Sequence, residues 1–111
     1  MAKVVITETL EKEINKKFKK ESIKIFELLL SLEKNPKKGK FLNQLGDIVL
    51  KEIKYKSFRF YFITNGFKLK FLKIEELSDL LIKFVRMSDK DSQQEVIEDI
   101  KRVLRTIGDG L

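Results

Sequence analysis

Cysteine and histidine are both absent from the 111-residue sequence. Without cysteine there is no disulfide framework, thiol nucleophile or thiolate metal site. Without histidine a structural zinc site is not expected, and proton transfer falls to Lys, Arg, Tyr, Asp or Glu. The sequence therefore predicts no metal site and no small-molecule cofactor.

Long apolar runs are also missing. No segment approaches the roughly 20 apolar residues of a membrane span, and the run Val4 to Ile6 is too short for the core of a signal peptide. We expect a soluble cytoplasmic protein with no membrane partner. The length predicts a single domain over residues 1–111.

Positive charge is abundant and unevenly distributed. The net charge is +7, but residues 1–74 hold 18 Lys and Arg against 8 Asp and Glu, whereas residues 75–111 hold 6 against 9. A basic surface indicates a polyanionic partner, although many soluble proteins are simply basic. Any such surface is expected in the first two thirds of the chain.

The N-terminal third predicts one strand followed by two helices. Lys3 to Thr7 is a β-branched run typical of a strand, and Thr7 or Thr9 can cap the helix after it. Apolar residues at helical spacing predict this helix and a second one from about Glu21 to Glu33, paired as a helical hairpin. Pro36 ends the second helix because proline disfavours helical geometry at the residue before it.

Asn65-Gly66 lies between two aromatic runs and predicts a β-hairpin with a type I′ turn. The register would place Phe62 opposite Leu69 and Phe60 opposite Phe71. One face would be apolar and would receive the helical hairpin. Together with the strand from Ile48 to Lys56, the other face would be basic, with Lys54, Lys56, Arg59, Tyr61, Lys68 and Lys70. That face is either a binding surface or an ordinary solvated one.

Lys37-Lys38-Gly39-Lys40 follows Pro36 and predicts a flexible basic loop. It is either a solvated charge run or a phosphate-contacting loop. A Walker loop is excluded because no strand precedes it and the required glycine and Lys-Ser/Thr spacings are missing.

The C-terminal third predicts two helices. Apolar residues at helical spacing indicate a helix from Glu75 to about Met87, although Leu80 to Met87 can also form a fifth strand. Ser92 and Glu95 form a capping-box pattern before a last helix that stops at Gly108. This helix is expected to carry one apolar stripe, formed by Val96, Ile97, Ile100, Val103, Leu104 and Ile107. The fold class is thus α+β, in the order β-α-α-β-β-β followed by two helices, with a core over 1–74 and a helical extension over 75–111.

This order of elements, together with several short motifs, resembles the RelE/ParE toxin superfamily of type II toxin–antitoxin modules, and most closely its HigB-like branch. The resemblance covers roughly residues 3–74. The matching motifs are Asn35-Pro36, the loop from Lys37 to Leu42 with Leu45-Gly46, the strand Leu50-Lys51-Glu52-Ile53-Lys54, and Arg59-Phe60-Tyr61-Phe62.

The resemblance implies a toxin that enters the ribosome, cuts mRNA there, and is silenced by a cognate antitoxin protein. In that chemistry the 2′-hydroxyl attacks the adjacent phosphate, and cations stabilise the developing charge. By position, Arg59 corresponds to the family's third-strand arginine and is expected to clamp phosphate. Lys54 and Lys56 correspond to the strand's basic pair, which is expected to take part in catalysis either by stabilising the phosphate or, with a lowered pKa, by transferring a proton. The remaining expected RNA-binding residues are Lys37, Lys38, Lys40, Tyr61, Lys68, Lys70 and Arg86.

Two other functions stay open at the level of sequence. Active relatives often carry a C-terminal tyrosine or histidine, but no aromatic residue follows Phe84 here. The first alternative is therefore a catalytically inactive protein of the same fold that binds RNA or the ribosome. The second is an inhibitor of DNA gyrase, as in the ParE branch.

Overall fold

A five-stranded mixed sheet with helices on both faces forms the α+β fold. The computed structural model describes residues 1–110, with side chains through Thr106. Three single turns of 3₁₀ helix cover Lys19–Glu21, Ser31–Glu33 and Ile74–Glu76. The strands and α-helices are β1 (Lys3–Ile6), α1 (Glu8–Phe18), α2 (Ser22–Leu30), β2 (Lys40–Leu45), β3 (Ile48–Tyr55), β4 (Phe58–Asn65), α3 (Gly66–Phe71), β5 (Leu81–Ser88) and α4 (Gln93–Gly110).

The strands lie in the order β1-β5-β4-β3-β2. β2, β3 and β4 are consecutive antiparallel strands, and β4 also pairs antiparallel with β5. β1 pairs parallel with β5, which makes the sheet mixed. None of the helices in residues 1–110 is long and apolar enough to cross a membrane.

One face of the sheet is covered by α1 and α2, and we call it the hairpin face. The Thr7 hydroxyl accepts the Leu10 amide at 3.4 Å and so caps α1, as the sequence predicts. The buried residues of α1 and α2 pack against one side of the central strands and form the larger core. Its members include Leu10, Ile14, Ile25, Leu29, Ile53, Phe60, Phe62, Ile82 and Phe84. The predicted helical hairpin on an apolar sheet face is therefore confirmed.

The opposite face is covered in part by α4, and we call it the α4 face. Val96, Ile100 and Leu104 of α4 are buried against Leu50 and Tyr61 of the sheet. Burial of these apolar side chains, each worth about 1.5–3 kcal/mol, fixes the helix on the sheet. The sequence predicts this apolar stripe on α4 but does not predict which face of the sheet the helix covers.

The ends of α4 also differ from the prediction. The Asp89 carboxylate accepts hydrogen bonds from the amide and hydroxyl of Ser92, whereas the predicted capping box gives the Ser92 amide to Glu95. The helix continues past Gly108 to Gly110. The side chain of Ile107, which was expected in the apolar stripe, lies outside the described residues.

The predicted hairpin at Asn65-Gly66 is wrong. The turn of the actual hairpin is Lys56-Ser57, between β3 and β4, and Lys56 has a positive φ of 55°. Asn65 instead ends β4, and its side-chain oxygen accepts the Lys68 amide at 2.9 Å, which caps α3. Phe62 consequently faces Lys51 on β3 and Phe84 on β5, not Leu69.

Asparagine explains this error because it favours helix N-caps as strongly as type I′ turns. The alternation from Phe67 to Phe71 covers only five residues, too few to exclude a helix. In α3 these two rings are four residues apart and their centroids lie 4.9 Å apart. Gly66 also lets α3 approach β3 closely, because a Cβ at Gly66 would lie 2.6 Å from Cγ2 of Val49.

The predicted helix from Glu75 to Met87 is wrong, and the alternative of a fifth strand from Leu80 to Met87 is confirmed. β5 lies between β1 and β4, so residues 75–111 are not a helical extension and the predicted order with two C-terminal helices fails. A bulge causes the misleading pattern: Phe62 pairs with Phe84 and Tyr61 with Arg86, which leaves Val85 as an extra residue. The extra residue breaks strict alternation and produces apolar spacing that resembles a helix.

Strand β2 was not predicted from the sequence. The basic loop ends at Gly39, and Lys40 already pairs with Glu52 of β3. Gly39 has a φ of +110°, and a Cβ there would lie 2.8 Å from Cζ of Phe62. Only glycine fits this entry into β2 without displacing a core ring.

Replacement of Asn65 tests the assignment of the helix cap. Asn65→Ala removes the acceptor of the Lys68 amide and is expected to lower the free energy of unfolding by about 1 kcal/mol, whereas Asn65→Asp keeps the acceptor and should change it little. Urea denaturation of both variants measures the difference. Equal destabilisation by the two substitutions would contradict the capping role.

Candidate functional site

Lys54 and Arg59 lie directly opposite each other on β3 and β4, one residue pair away from the hairpin turn. Both share the α4 face of the sheet with Glu52 and Tyr61, because side chains alternate along a strand. Lys54 is exposed, while the Arg59 side chain is only 12% exposed. The structure thus brings together two of the three residues that the resemblance implies are catalytic.

Arg59 lies beside a buried carboxylate. Its Nε lies 4.0 Å from Oε2 of Glu52, and its Nη1 donates to the carbonyl oxygen of Ser57 at 3.1 Å. Glu52 is 5% exposed, and its Oε2 has no hydrogen-bond partner among the described residues. A buried carboxylate is strongly destabilising without a nearby cation, so Glu52 and Arg59 depend on each other. Among residues 1–106, the Arg59 guanidinium forms no other side-chain hydrogen bond.

Tyr61 lies in the same face but does not reach the surface. It is fully buried beneath α4, and its hydroxyl lies 2.7 Å from Oγ of Ser88. Burial raises the pKa of the Tyr61 phenol above its ordinary value of 10.0, and the hydrogen bond with Ser88 partly offsets this. Tyr61 therefore stays neutral at pH 7, and its predicted contact with RNA does not exist in this arrangement.

Arg86 is opposite Tyr61 on β5 and is engaged by α4. Its Nη1 lies 3.8 Å from Oδ2 of Asp99, and Asp99 also pairs with Arg102. The acidic C-terminal part of the chain thus neutralises part of the basic face. Arg86 remains about half exposed.

Lys56 is directed away from Arg59. It occupies the hairpin turn, and its ammonium group pairs with the carboxylate of Glu21, which also accepts the Tyr55 hydroxyl at 2.6 Å. These contacts raise the pKa of Lys56, and they lower the pKa of Glu21 through Lys56 first and Tyr55 second. Lys56 therefore does not join Lys54 beside Arg59, and its raised pKa is opposite to the lowered pKa expected for proton transfer.

The Glu21 contacts predict a specific pH dependence of stability. Because the pKa of Glu21 is lowered from 4.5 in the fold, its contribution to stability is present above pH 4.5 and is lost as the pH falls through the folded value. The raised pKa of Lys56 keeps its own contribution intact up to about its ordinary value of 10.5. The contacts should therefore stabilise the fold evenly between these two limits.

Glu21→Gln tests this dependence. The stability difference between the wild type and Glu21→Gln should be constant near neutral pH and shrink below pH 4.5, as measured by urea denaturation across that range. Glu27→Gln, at an exposed position of α2, serves as the control. A difference that does not change with pH would contradict the assigned contacts.

The other predicted RNA-binding lysines do not join Lys54 and Arg59. Lys37 and Lys70 line a groove on the hairpin face, and Lys68 lines a shallow depression with Asp47 and Asp79. Lys38 and Lys40 are exposed around the start of β2. Lys68 and Lys70 are separated from Arg59 because they lie on α3. The predicted hairpin would have placed both lysines on a strand beside β4, which carries Arg59.

Three important residues were not singled out from the sequence. Glu52 positions Arg59, Asp99 engages Arg86, and Lys51 is 7% exposed with its ammonium donating to the Lys37 carbonyl at 2.9 Å. The alternation of β3 could have identified Lys51 and Glu52, because it places one of these charged residues on each face of the strand. The structure covers both faces of β3. No sequence pattern predicts that α4 packs on one of these faces.

Binding of phosphate is the chemistry that Lys54 and Arg59 offer most directly. Arginine can bind a phosphate with two parallel hydrogen bonds, and lysine adds a point charge beside it. Within the described residues no group of three His, Cys, Asp or Glu side chains is arranged to hold a metal ion. No family model matches the chain, and neither a curated protein nor a solved structure matches it significantly.

Proposed function

We propose that this chain is a toxin of the RelE/ParE type that binds mRNA on the ribosome, cleaves it, and thereby inhibits translation. The observation that carries the proposal is the opposition of Lys54 and Arg59 on neighbouring strands, with Arg59 oriented by its hydrogen bond to the Ser57 carbonyl and paired with buried Glu52. A fixed arginine can stabilise the charge that develops on phosphate during attack by the 2′-hydroxyl. The proposed partners are the ribosome, mRNA and a cognate antitoxin protein.

The finer fold assignment belongs to the same proposal. The N-terminal strand, the helical hairpin and the consecutive strands β2, β3 and β4 support this assignment. In it, β2 takes the place of the third strand that the sequence predicts after Gly66, where the structure has α3. The mixed sheet is an extension of this pattern, because β5 inserts between β1 and β4. Lys54 and Arg59 both belong to the part of the chain that carries the resemblance.

A second candidate function is RNA binding without cleavage. The observation that favours it is the loss of proton-transfer partners from the site: Tyr61 is buried under α4, and Lys56 is paired with Glu21. Cleavage requires a group that accepts the 2′-hydroxyl proton and a group that protonates the leaving oxygen. Lys54 is the exposed titratable group that faces Arg59 and could serve in one of these roles.

Inducible expression of the wild-type chain tests both candidates. The toxin proposal predicts growth arrest together with new mRNA ends on translating ribosomes. Salt-sensitive RNA binding with intact mRNA would support binding alone, since release of counterions makes phosphate contacts salt-dependent. If expression causes no arrest and the purified protein neither binds nor cuts mRNA on ribosomes, both candidates fail.

A further inference from the structure

A second surface lies on the hairpin face, beyond the helices α1 and α2. It is an open groove of about 510 Å³ whose floor is formed by β2 and β3 and whose wall is formed by α3. The sheet separates it from Lys54 and Arg59, because Lys51 and Val49 in its floor alternate with Leu50 and Glu52 on the α4 face. Its role is therefore independent of the proposed RNA site.

The lining combines exposed aromatic rings with lysines. Phe41, Phe67 and Phe71 are 57%, 59% and 63% exposed, although residues of this size are normally buried. Lys37, Lys51 and Lys70 line the same groove, against one carboxylate, Asp47. A clustered apolar surface that is rimmed by charge is typical of sites that contact another protein, in which aromatic residues are enriched.

Lys51 adds a specific requirement for the ligand. Its ammonium group lies 5.9 Å from the centroid of the Phe62 ring and donates to the Lys37 carbonyl, and among residues 1–106 no Asp or Glu forms an ion pair with it. Burial lowers the pKa of Lys51. A carboxylate from a ligand would satisfy the remaining ammonium donors and compensate this cost of burial.

We propose that this groove binds an acidic amphipathic segment of a partner protein. Apolar side chains of the segment would cover Phe41, Phe67 and Phe71, while its carboxylates would pair with Lys37, Lys51 and Lys70. The match of charge favours an acidic segment over a neutral one. The large exposed fraction of the three rings favours an extended segment over a small molecule, which would need a more enclosed site.

A single-stranded nucleic acid fits the groove less well. Sequence-tolerant binding of nucleic acid uses aromatic faces on which successive bases stack. The rings of Phe67 and Phe71 are tilted by 45° with centroids 4.9 Å apart, so each partly covers the other. The nearly buried ammonium of Lys51 is also easier to reach for a carboxylate on a flexible side chain than for a phosphate within a nucleic-acid backbone.

Fluorescence anisotropy with defined probes tests the proposal. The first probe is a labelled peptide of about 14 residues that places leucines on one side and glutamates on the other, and the second replaces every glutamate by glutamine. An oligouridylate of about eight nucleotides is the third. We expect the glutamate peptide to bind the full chain at least about tenfold more tightly than the glutamine peptide, because carboxylates are required at Lys51.

Substitutions in the groove identify where the peptide binds. Lys51→Met keeps the length of the side chain and should weaken binding about tenfold, as should the double substitution Phe67→Ala/Phe71→Ala. Lys70→Gln is at an exposed position, does not endanger folding, and should weaken binding about threefold. Ile23→Ala, at a position 66% exposed on α2, is the matched control and should have no effect.

Three results would overturn the proposal. One is equal affinity for the two peptides, and another is unchanged binding in Lys70→Gln together with Phe67→Ala/Phe71→Ala. The third is binding of the oligouridylate that is lost in the phenylalanine variant, which would assign the groove to nucleic acid. None of these results depends on mRNA cleavage, so the proposed function is tested separately.

Discussion

Arg59→Ala is expected to relieve growth arrest and to lower the rate of mRNA cleavage by about 10²–10³. Arg59 supplies the guanidinium that faces Lys54, and loss of one preorganised donor to a reacting phosphate costs a factor of this size. The measurement is the growth of induced cells, together with cleavage of mRNA on purified translating ribosomes.

The same substitution also affects stability, which has to be separated from function. Without the guanidinium, buried Glu52 keeps no cation beside its Oε2, and the free energy of unfolding should fall by about 3 kcal/mol. The double variant Arg59→Ala/Glu52→Gln replaces the buried charge by a neutral amide and should recover most of this loss. It should not recover cleavage, because the phosphate contact is still missing.

Two controls make the result specific to Arg59. Lys16→Ala removes one positive charge from the exposed surface of α1 and should leave both arrest and cleavage unchanged. Glu52→Gln alone keeps the arginine but loosens its position, so an intermediate cleavage rate is expected. Full activity in the stable double variant would show that Arg59 does not act on phosphate, and the proposed function would lose its main support.

The sequence predicted the hairpin face well because its signals are local and agree with one another. Leu10 and Ile14 lie one helical turn apart, Thr7 provides the cap, and Phe60 and Phe62 alternate along β4. Each pattern extends over enough residues to separate a period of 3.6 from a period of 2. The alternation of β4 also placed Arg59 correctly on the face opposite the helical hairpin.

The predictions from sequence are wrong where one residue or a short run is compatible with two kinds of secondary structure. Asn65 is suited to a turn and to a helix cap, and the close approach of Gly66 to Val49 is a tertiary contact that no local pattern contains. The extra residue Val85 in β5 made a strand resemble a helix. The first error placed Lys68 and Lys70 on the sheet, so the predicted basic surface was too large there. The second left out β5, which brings Arg86 opposite Tyr61.

The acidic C-terminal region packs on the basic face of the sheet, a tertiary contact that the charge composition does not reveal. The charge split between residues 1–74 and 75–111 predicted a basic face built from the first part of the chain alone, whereas Arg86 of β5 shares the face with Arg59. It did not predict that α4 would pack on that face, with Asp99 beside Arg86 and Leu104 in the core over Leu50 and Tyr61. The candidate site is consequently limited to the end of the face near the β3–β4 turn.

Phe84→Ala should have the largest effect on stability. Phe84 is fully buried in β5, and its ring centroid lies 4.8 Å from that of Phe62 in the core on the hairpin face. Truncation of a phenylalanine at such a position costs about 3–5 kcal/mol, because it removes buried surface and leaves a cavity. A domain of this size has only about 5–15 kcal/mol in total, so the variant should be largely destabilised in urea denaturation.

This substitution also distinguishes a central strand from a peripheral extension, because the two arrangements place Phe84 differently. If residues 75–111 were a helical extension outside the core, loss of one aromatic ring would cost far less and would leave the rest of the fold intact. Phe71→Ala is the matched control, since Phe71 is 63% exposed on α3 and its loss should change the free energy of unfolding by less than about 0.5 kcal/mol. Because β5 joins β1 to β4 and thereby links both ends of the sheet, Phe84→Ala should weaken one cooperative transition and should not produce a second. Separate unfolding of the C-terminal part, with β2, β3 and β4 unaffected, would contradict this central position of β5.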